Sequence, residues 1–271
     1  MNIKQFLLAI SILLAASLAI AETPSIDEII NRTNQMAYYQ SKDGRAKVKM
    51  TISDAQDRVR TREFIILRRD EPSTDEIKDQ AYLGEQKLYV YFNRPADINK
   101  MVFMVHKKIT TDDDRWLYLP SLDLVKRIAA SDKRTSFVGS DFLYEDVSGR
   151  GLQEDTHSLI GTDDNYFIIE NTPINADDVE FAKYIMYIHK ITFLPIQTEY
   201  YDKQGAKYKS YTALAIETID GHPTITQSEA KNLATGSSTL MEYSHVEYDI
   251  ALPEDIFSER FLRKAPRKFL R

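Results

Sequence analysis

Two short stretches, Leu88-Tyr89-Val90-Tyr91-Phe92 and Met101-Val102-Phe103-Met104-Val105, decide the reading of this chain. Both are rich in β-branched and aromatic residues, the composition of strands. Neither alternates apolar with polar, as a strand with one wet face should. Something must therefore cover both faces of the sheet they belong to. One face can pack on helices. The other can line a cavity, as in half-barrels that hold an apolar ligand, or it can be filled by side chains. Periodicity alone leaves these two open.

Working outward, the period stays at two. Arg45–Asp54 and Arg58–Asp70 alternate on either side of a turn at Ala55-Gln56-Asp57. Residues 72–80 are polar and turn-like. Beyond Val105 come RWLYLP and LVKRIA, then seven more strand-like runs separated by turn signals such as YDKQGAK and IDGHP. Helical spacing is confined to the ends. Ser25 and Glu28 form a capping-box pattern ahead of a helix over 26–39. A second, short helix is expected over Leu252–Leu262. The pattern predicts a mainly β protein of roughly ten to twelve antiparallel strands, in one strongly curved sheet or incomplete barrel. No repeat, low-complexity block or linker interrupts it.

The N-terminus predicts export. Lys4 precedes an apolar run that closes in Ala19-Ile20-Ala21, the layout of a cleaved leader over residues 1–21. The run is shorter than the roughly 20 residues a spanning helix needs. Residues 22–271 are expected to form a single domain, soluble in the periplasm. The chain has no cysteine, which excludes disulfides, thiolate metal sites and lipidation of an N-terminal cysteine. Loss of Lys4 with the leader takes the net charge from −6 to −7, which argues against a nucleic-acid partner. Basic residues do cluster at the C-terminus, where Arg263, Lys264, Arg267 and Lys268 form either a solvated tail or a contact for an acidic surface.

No catalytic signature emerges. None of the five histidines sits four residues from another, and no nucleophile elbow or phosphate-binding glycine loop occurs. The acidic runs Asp112-Asp113-Asp114 and Asp163-Asp164-Asn165 lack calcium-loop spacing and read as turns. The expectation is a carrier and not an enzyme, with no cofactor and no metal.

The run RWLYLPSLDLVKRIAASDKRTSFVGSDFLYEDV, Arg115–Val147, carries a resemblance. Its aromatic strand ending in Leu-Pro, its basic strand ending in Arg-Ile-Ala and its Phe-x-Gly-Ser-Asp-Phe-x-Tyr-Glu-Asp sequence resemble the central segment of the LolA-like outer-membrane lipoprotein-sorting proteins. The chain looks most like a longer subgroup associated with RND-type lipid exporters. The resemblance implies an unclosed antiparallel β-barrel, with helices covering the open side and a hydrophobic cavity between them. It implies that acyl chains of a lipoprotein or lipid are shielded during transport towards the outer membrane. An inner-membrane transporter of the RND or ABC type is the implied donor, and the chain is expected to act as a monomer. The alternatives are an accessory subunit of such a transporter that binds protein, and, more remotely, a secreted hydrolase. Alternation proposes Phe64, Ile66, Leu88, Val90, Phe92, Val102, Met104, Trp116 and Tyr118 as cavity lining. Phe137, Phe142, Leu143 and Tyr144 are expected to form a covering segment, with Asp141 capping the turn after it. Lys133 and Arg134 are expected at its rim.

Overall fold

The computed structural model describes residues 23–72, 84–108 and 111–271. The expected leader, and the expected turn from residue 73 on, lie outside the described residues. The strands run β1 Asp43–Ser53, β2 Val59–Pro72, β3 Gly84–Arg94, β4 Val102–Lys107, β5 Asp114–Leu119 and β6 Leu124–Ile128, then β7 Asp155–Thr162, β8 Tyr166–Pro173, β9 Phe181–His189, β10 Pro195–Asp202, β11 Lys207–Ile219, β12 His222–Asn232 and β13 Ser237–Tyr248. They form one antiparallel sheet in the order β6-β5-β4-β3-β2-β1-β13-β12-β11-β10-β9-β8-β7. The expected unclosed sheet is present, with thirteen strands among the described residues where roughly ten to twelve were expected. Its two edges are β6 and β7, which are consecutive in sequence.

Helix α1, Ile26–Tyr38, starts where the Ser25 hydroxyl accepts from the Glu28 amide at 3.2 Å. It buries Ile29 and Ile30 against Phe167, Ile169, Ile188 and Phe193 of the β8–β9 side. Its C-terminal end is held from β2. The Arg68 guanidinium donates to the carbonyls of Tyr38, Gln40 and Ser41, which the helix leaves without partners.

The two-faced strands are covered on both sides, and their register sorts the faces. Val90 pairs with Phe103, and both point to the concave side, where Phe64, Leu88 and Phe92 join them. Tyr89 pairs with Met104, and both point to the convex side. The C-terminal segment covers that convex side with Leu252, Ile256, Phe257 and Leu262. The Tyr89 hydroxyl donates to the Phe261 carbonyl at 2.7 Å. The helix expected over Leu252–Leu262 is a short 3-10 turn at Glu254–Phe257 followed by α3, Glu259–Arg263. Extended backbone at Ser258 separates the two.

Because β6 and β7 are opposite edges, the chain between them crosses the concave side. This crossing segment spans residues 129–154 and contains α2, Tyr144–Ser148. Phe137 is fully buried, and its ring meets those of Phe64, Phe92, Phe103 and Tyr144 at 5.4–6.0 Å between centroids. Phe142 and Tyr144 are buried in the same cluster. Leu143 is half-buried and bridges to Ser136. Asp141 does not cap α2. It accepts from Ser237 at 2.5 Å and Thr239 at 2.7 Å, tying the segment to β13. The cap is reversed: Asp146, three residues into the turn, accepts from the Leu143 amide at 2.6 Å.

Buried charge fixes the segment's other flank. The side chain of Glu145 is 2% exposed and faces three cations, Lys133 at 3.1 Å, Arg134, and Arg150 at 3.2 Å. Arg134 continues to Glu180 at 2.6 Å, and Arg150 to Asp155 at 2.8 Å. The expected rim position of Lys133 and Arg134 is corrected here. Both turn inward, because a buried carboxylate needs paired charge to remain ionised.

Phe137→Ala should therefore cost about 3–5 kcal/mol, read by urea or thermal unfolding. Glu145→Gln should cost a similar amount, because it leaves three buried cations short of a partner. Asp123→Asn, which breaks the exposed pair with Arg263, should change stability by under about 1 kcal/mol. Burial pushes the Glu145 carboxyl up, but Arg134, Arg150 and Lys133 outweigh burial and hold it below its usual range. A depressed folded value stabilises fully above the unfolded value of about 4.3 and is lost as pH falls through the folded one. The stability gap between wild type and Glu145→Gln should accordingly shrink below about pH 4.

Candidate ligand cavity

The aromatic plug fills only the β2–β4 half of the concave side. The other half, under α1, is hollow. Three adjoining lobes of about 240, 330 and 250 Å³ share Ala37, Tyr38 and Asp146. The second lobe alone reaches the lower end of the size class of ligand pockets, about 300–1,000 Å³, and the other two adjoin it. The first lobe lies between α1 and β9–β11, against Ile30, Met186, Ile196, Tyr200 and Tyr211. The second reaches the ends of β1 and β13, past Ala46, Val246 and Tyr248. There Gly44 permits close approach of β1 to β13, since a side chain at that position would press within 2.9 Å of the Glu247 carbonyl. The third runs along β2, β3 and β13, against Phe64, Ile66, Leu88, Met241 and Tyr243.

Five of the nine expected lining residues, Phe64, Ile66, Leu88, Val90 and Phe92, are on the concave side. Phe64, Ile66 and Leu88 reach the third lobe, while Val90 and Phe92 are sealed within the aromatic plug. The other four, Val102, Met104, Trp116 and Tyr118, lie on the convex face against the C-terminal segment. The face assigned to them is corrected, because a one-residue error in the phase of a strand exchanges every side chain between faces. Arg263 pairs with Asp123 at 3.0 Å, and Lys264, Arg267 and Lys268 are exposed on that same convex side.

The larger part of the hollow comes from residues that the sequence did not single out. Ala37 and Tyr38 belong to the second face of α1, and Tyr200, Tyr211 and Tyr243 to β10, β11 and β13. The signal available was the aromatic residues recurring on those later strands, which the more apolar β3 and β4 overshadowed.

The hollow's charged groups are mostly engaged by the fold. Arg68 holds the end of α1, and Arg150 is spent on Glu145, Glu154 and Asp155. Asp146 accepts from Lys209 at 3.4 Å and from the Tyr211 hydroxyl. Burial, and next the nearby Asp146 charge, push the Tyr211 phenol well above its ordinary value, so it stays protonated. His157 is held between Asn171 at 2.6 Å and the Leu152 carbonyl at 3.1 Å, a structural role. Asp163 accepts from the amides of Asn165 and Tyr166, as a turn residue does. Among the described residues no cluster could hold a metal ion, and no helix is long and apolar enough to cross a membrane.

A family model described as "Uncharacterized protein" matches residues 84–264. No curated protein matches the chain. Among solved structures, a DUF1329 family protein from Desulfovibrio piger is 28% identical, with 89% of this chain and 100% of that one covered at a TM-score of 0.76. A domain from Vibrio parahaemolyticus, provisionally described as an outer membrane lipoprotein-sorting protein, is 26% identical, with 88% and 97% covered at 0.76. A LolA superfamily protein from Nitrosomonas europaea shares the fold at 16% identity and a TM-score of 0.66, with 88% and 100% covered. The matched family model spans well over half of the chain, which therefore belongs to that family of uncharacterized proteins and carries the fold of the LolA-like superfamily.

Proposed function

We propose that this protein is a periplasmic carrier that shields acyl chains of a lipid or lipoprotein in the hollow beneath α1. The observation that carries this reading is the set of adjoining lobes, lined mainly by apolar and aromatic side chains and meeting at Ala37, Tyr38 and Asp146. The similarity to a lipoprotein-sorting domain supports it. Burial of each CH₂ contributes roughly 0.8 kcal/mol, so a 16-carbon chain gains on the order of 10 kcal/mol gross. That is enough to extract a chain from water. It also requires that a partner or a movement of α1 release it.

Native mass spectrometry of protein taken from its own periplasm should show a bound acyl species. Ala37→Trp, which places a large ring where the three lobes meet, should empty the hollow while changing the melting temperature by only a few degrees. Wild-type protein that carries no acyl species, and takes up no hydrophobic dye, would sink the proposal.

A donor or acceptor must also be met, and an RND- or ABC-type inner-membrane transporter is the donor proposed. The exposed Lys264, Arg267 and Lys268 favour the convex C-terminal face for that contact. Phe269 and Leu270 anchor this segment on the sheet, so charge reversal tests it better than truncation. The triple variant Lys264→Glu, Arg267→Glu, Lys268→Glu should retain the acyl species and lose at least tenfold in capture of the transporter. Unchanged capture would show the segment to be solvated surface only.

A further inference from the structure

The three lobes of the hollow have Ala37, Tyr38 and Asp146 in common, so its one shared charged group is a carboxylate. Asp146 uses one carboxylate oxygen for the fold: Oδ2 accepts the Leu143 amide, the Lys209 ammonium and the Tyr211 hydroxyl. Oδ1 has no hydrogen-bond partner among the described residues, and it is accessible rather than sealed. The Tyr38 hydroxyl is likewise without a partner yet accessible, and Tyr38 lines the same three lobes. Burial first, then the neighbouring Asp146, push the Tyr38 phenol far up, so it remains a donor.

The cations around this point are already engaged. Arg68 is committed to the end of α1, Arg150 to three carboxylates, and Lys209 to Asp146 Oδ2. Arg45 is committed to Glu247 and the Phe269 carbonyl, and Lys107, over the Tyr38 ring, to the Ser148 and Gly149 carbonyls. Among the residues common to all three lobes, the unspent hydrogen-bonding capacity is therefore one anionic acceptor and one neutral phenol. A carboxylate or phosphate placed there would face the Asp146 charge across a poorly solvated gap, with no free cation to offset it. A hydroxyl fits both groups, since it donates to Asp146 Oδ1 and accepts from Tyr38.

We infer that the hollow selects a lipid whose buried polar end is an uncharged hydroxyl, held between Asp146 Oδ1 and the Tyr38 hydroxyl, over one ending in a carboxylate or phosphate. This inference rests on the carrier reading and narrows its ligand class. Charge-assisted hydrogen bonds are about twice as strong as neutral ones, so Asp146 contributes more than Tyr38.

The probes are dodecanol and dodecanoate, which share a chain length, competing at pH 8 against the fluorescent dye N-phenylnaphthylamine. The readout is the ratio of their half-displacement concentrations. In wild type, dodecanol should displace the dye at a concentration about tenfold below dodecanoate. Ionised carboxylates are also better hydrated, so the change of this ratio in variants is decisive. Asp146→Asn keeps an acceptor for the Leu143 amide and should shift the ratio several-fold towards one, leaving only the part that hydration sets. Tyr38→Phe, which leaves the α2 cap untouched, should weaken dodecanol a few-fold and leave dodecanoate unaffected. A ratio unchanged in both folded variants overturns this inference alone. A wild type that takes up no dye overturns the carrier reading with it.

Discussion

Consecutive strands at opposite edges of one sheet impose the constraint on which this structure rests. β6 and β7 do not pair, so residues 129–154 must cross the full concave side to join them. A crossing loop would bury backbone polar groups and charged side chains at a cost unless each found a partner. The segment finds them in two ways. Phe137, Phe142 and Tyr144 fill the side nearest β2–β4 as an aromatic plug. Asp141 fastens it to β13, and Arg134 and Arg150, both paired with the buried Glu145, fasten it through Glu180 and Asp155 to the β7–β9 flank.

That division of labour explains where the hollow lies. Aromatic rings from the crossing segment use up the concave surface of the first half of the sheet. Over the second half stands α1, which packs on β8 and β9 by Ile29 and Ile30 and leaves Ala37 and Tyr38 over open space. The buried Glu145 network matters to this hollow indirectly. Buried ion pairs are weak evidence for stability in themselves. Here Glu145 and Asp146 are neighbours on one short helix, so the ion pairs that hold Glu145 also hold Asp146 at the meeting point of the lobes. A site inside an apolar hollow needs such positioning, because solvent is not there to correct a misplaced charge.

The outer face shows the complementary solution. Tyr89, Met104 and Trp116 would expose a large apolar surface if the chain ended at β13. Residues 249–271 return to cover it, and their apolar residues anchor a segment whose basic side chains face solvent. The two apolar faces of β3 and β4 thus have different covers, one from the middle of the chain and one from its end.

How much of this was legible in the sequence depends on the range of the interaction. Strand periodicity, the Ser25-capped helix, the turn at Ala55-Gln56-Asp57 and the need for covers on both faces of β3 and β4 are local or compositional, and the residues alone determined them. So did the lack of any thiol chemistry. Tertiary structure alone decided which face each of those strands shows to the hollow. Alternation separates two faces but does not say which is inward until register pairs Val90 with Phe103 and Tyr89 with Met104. It likewise decided that Arg134 turns inward, because its partner Glu180 is 46 residues away in sequence. The hollow itself belongs to this second class. It is a space left between α1, a crossing segment and strands from both halves of the sheet, and empty volume between distant elements has no residue pattern of its own.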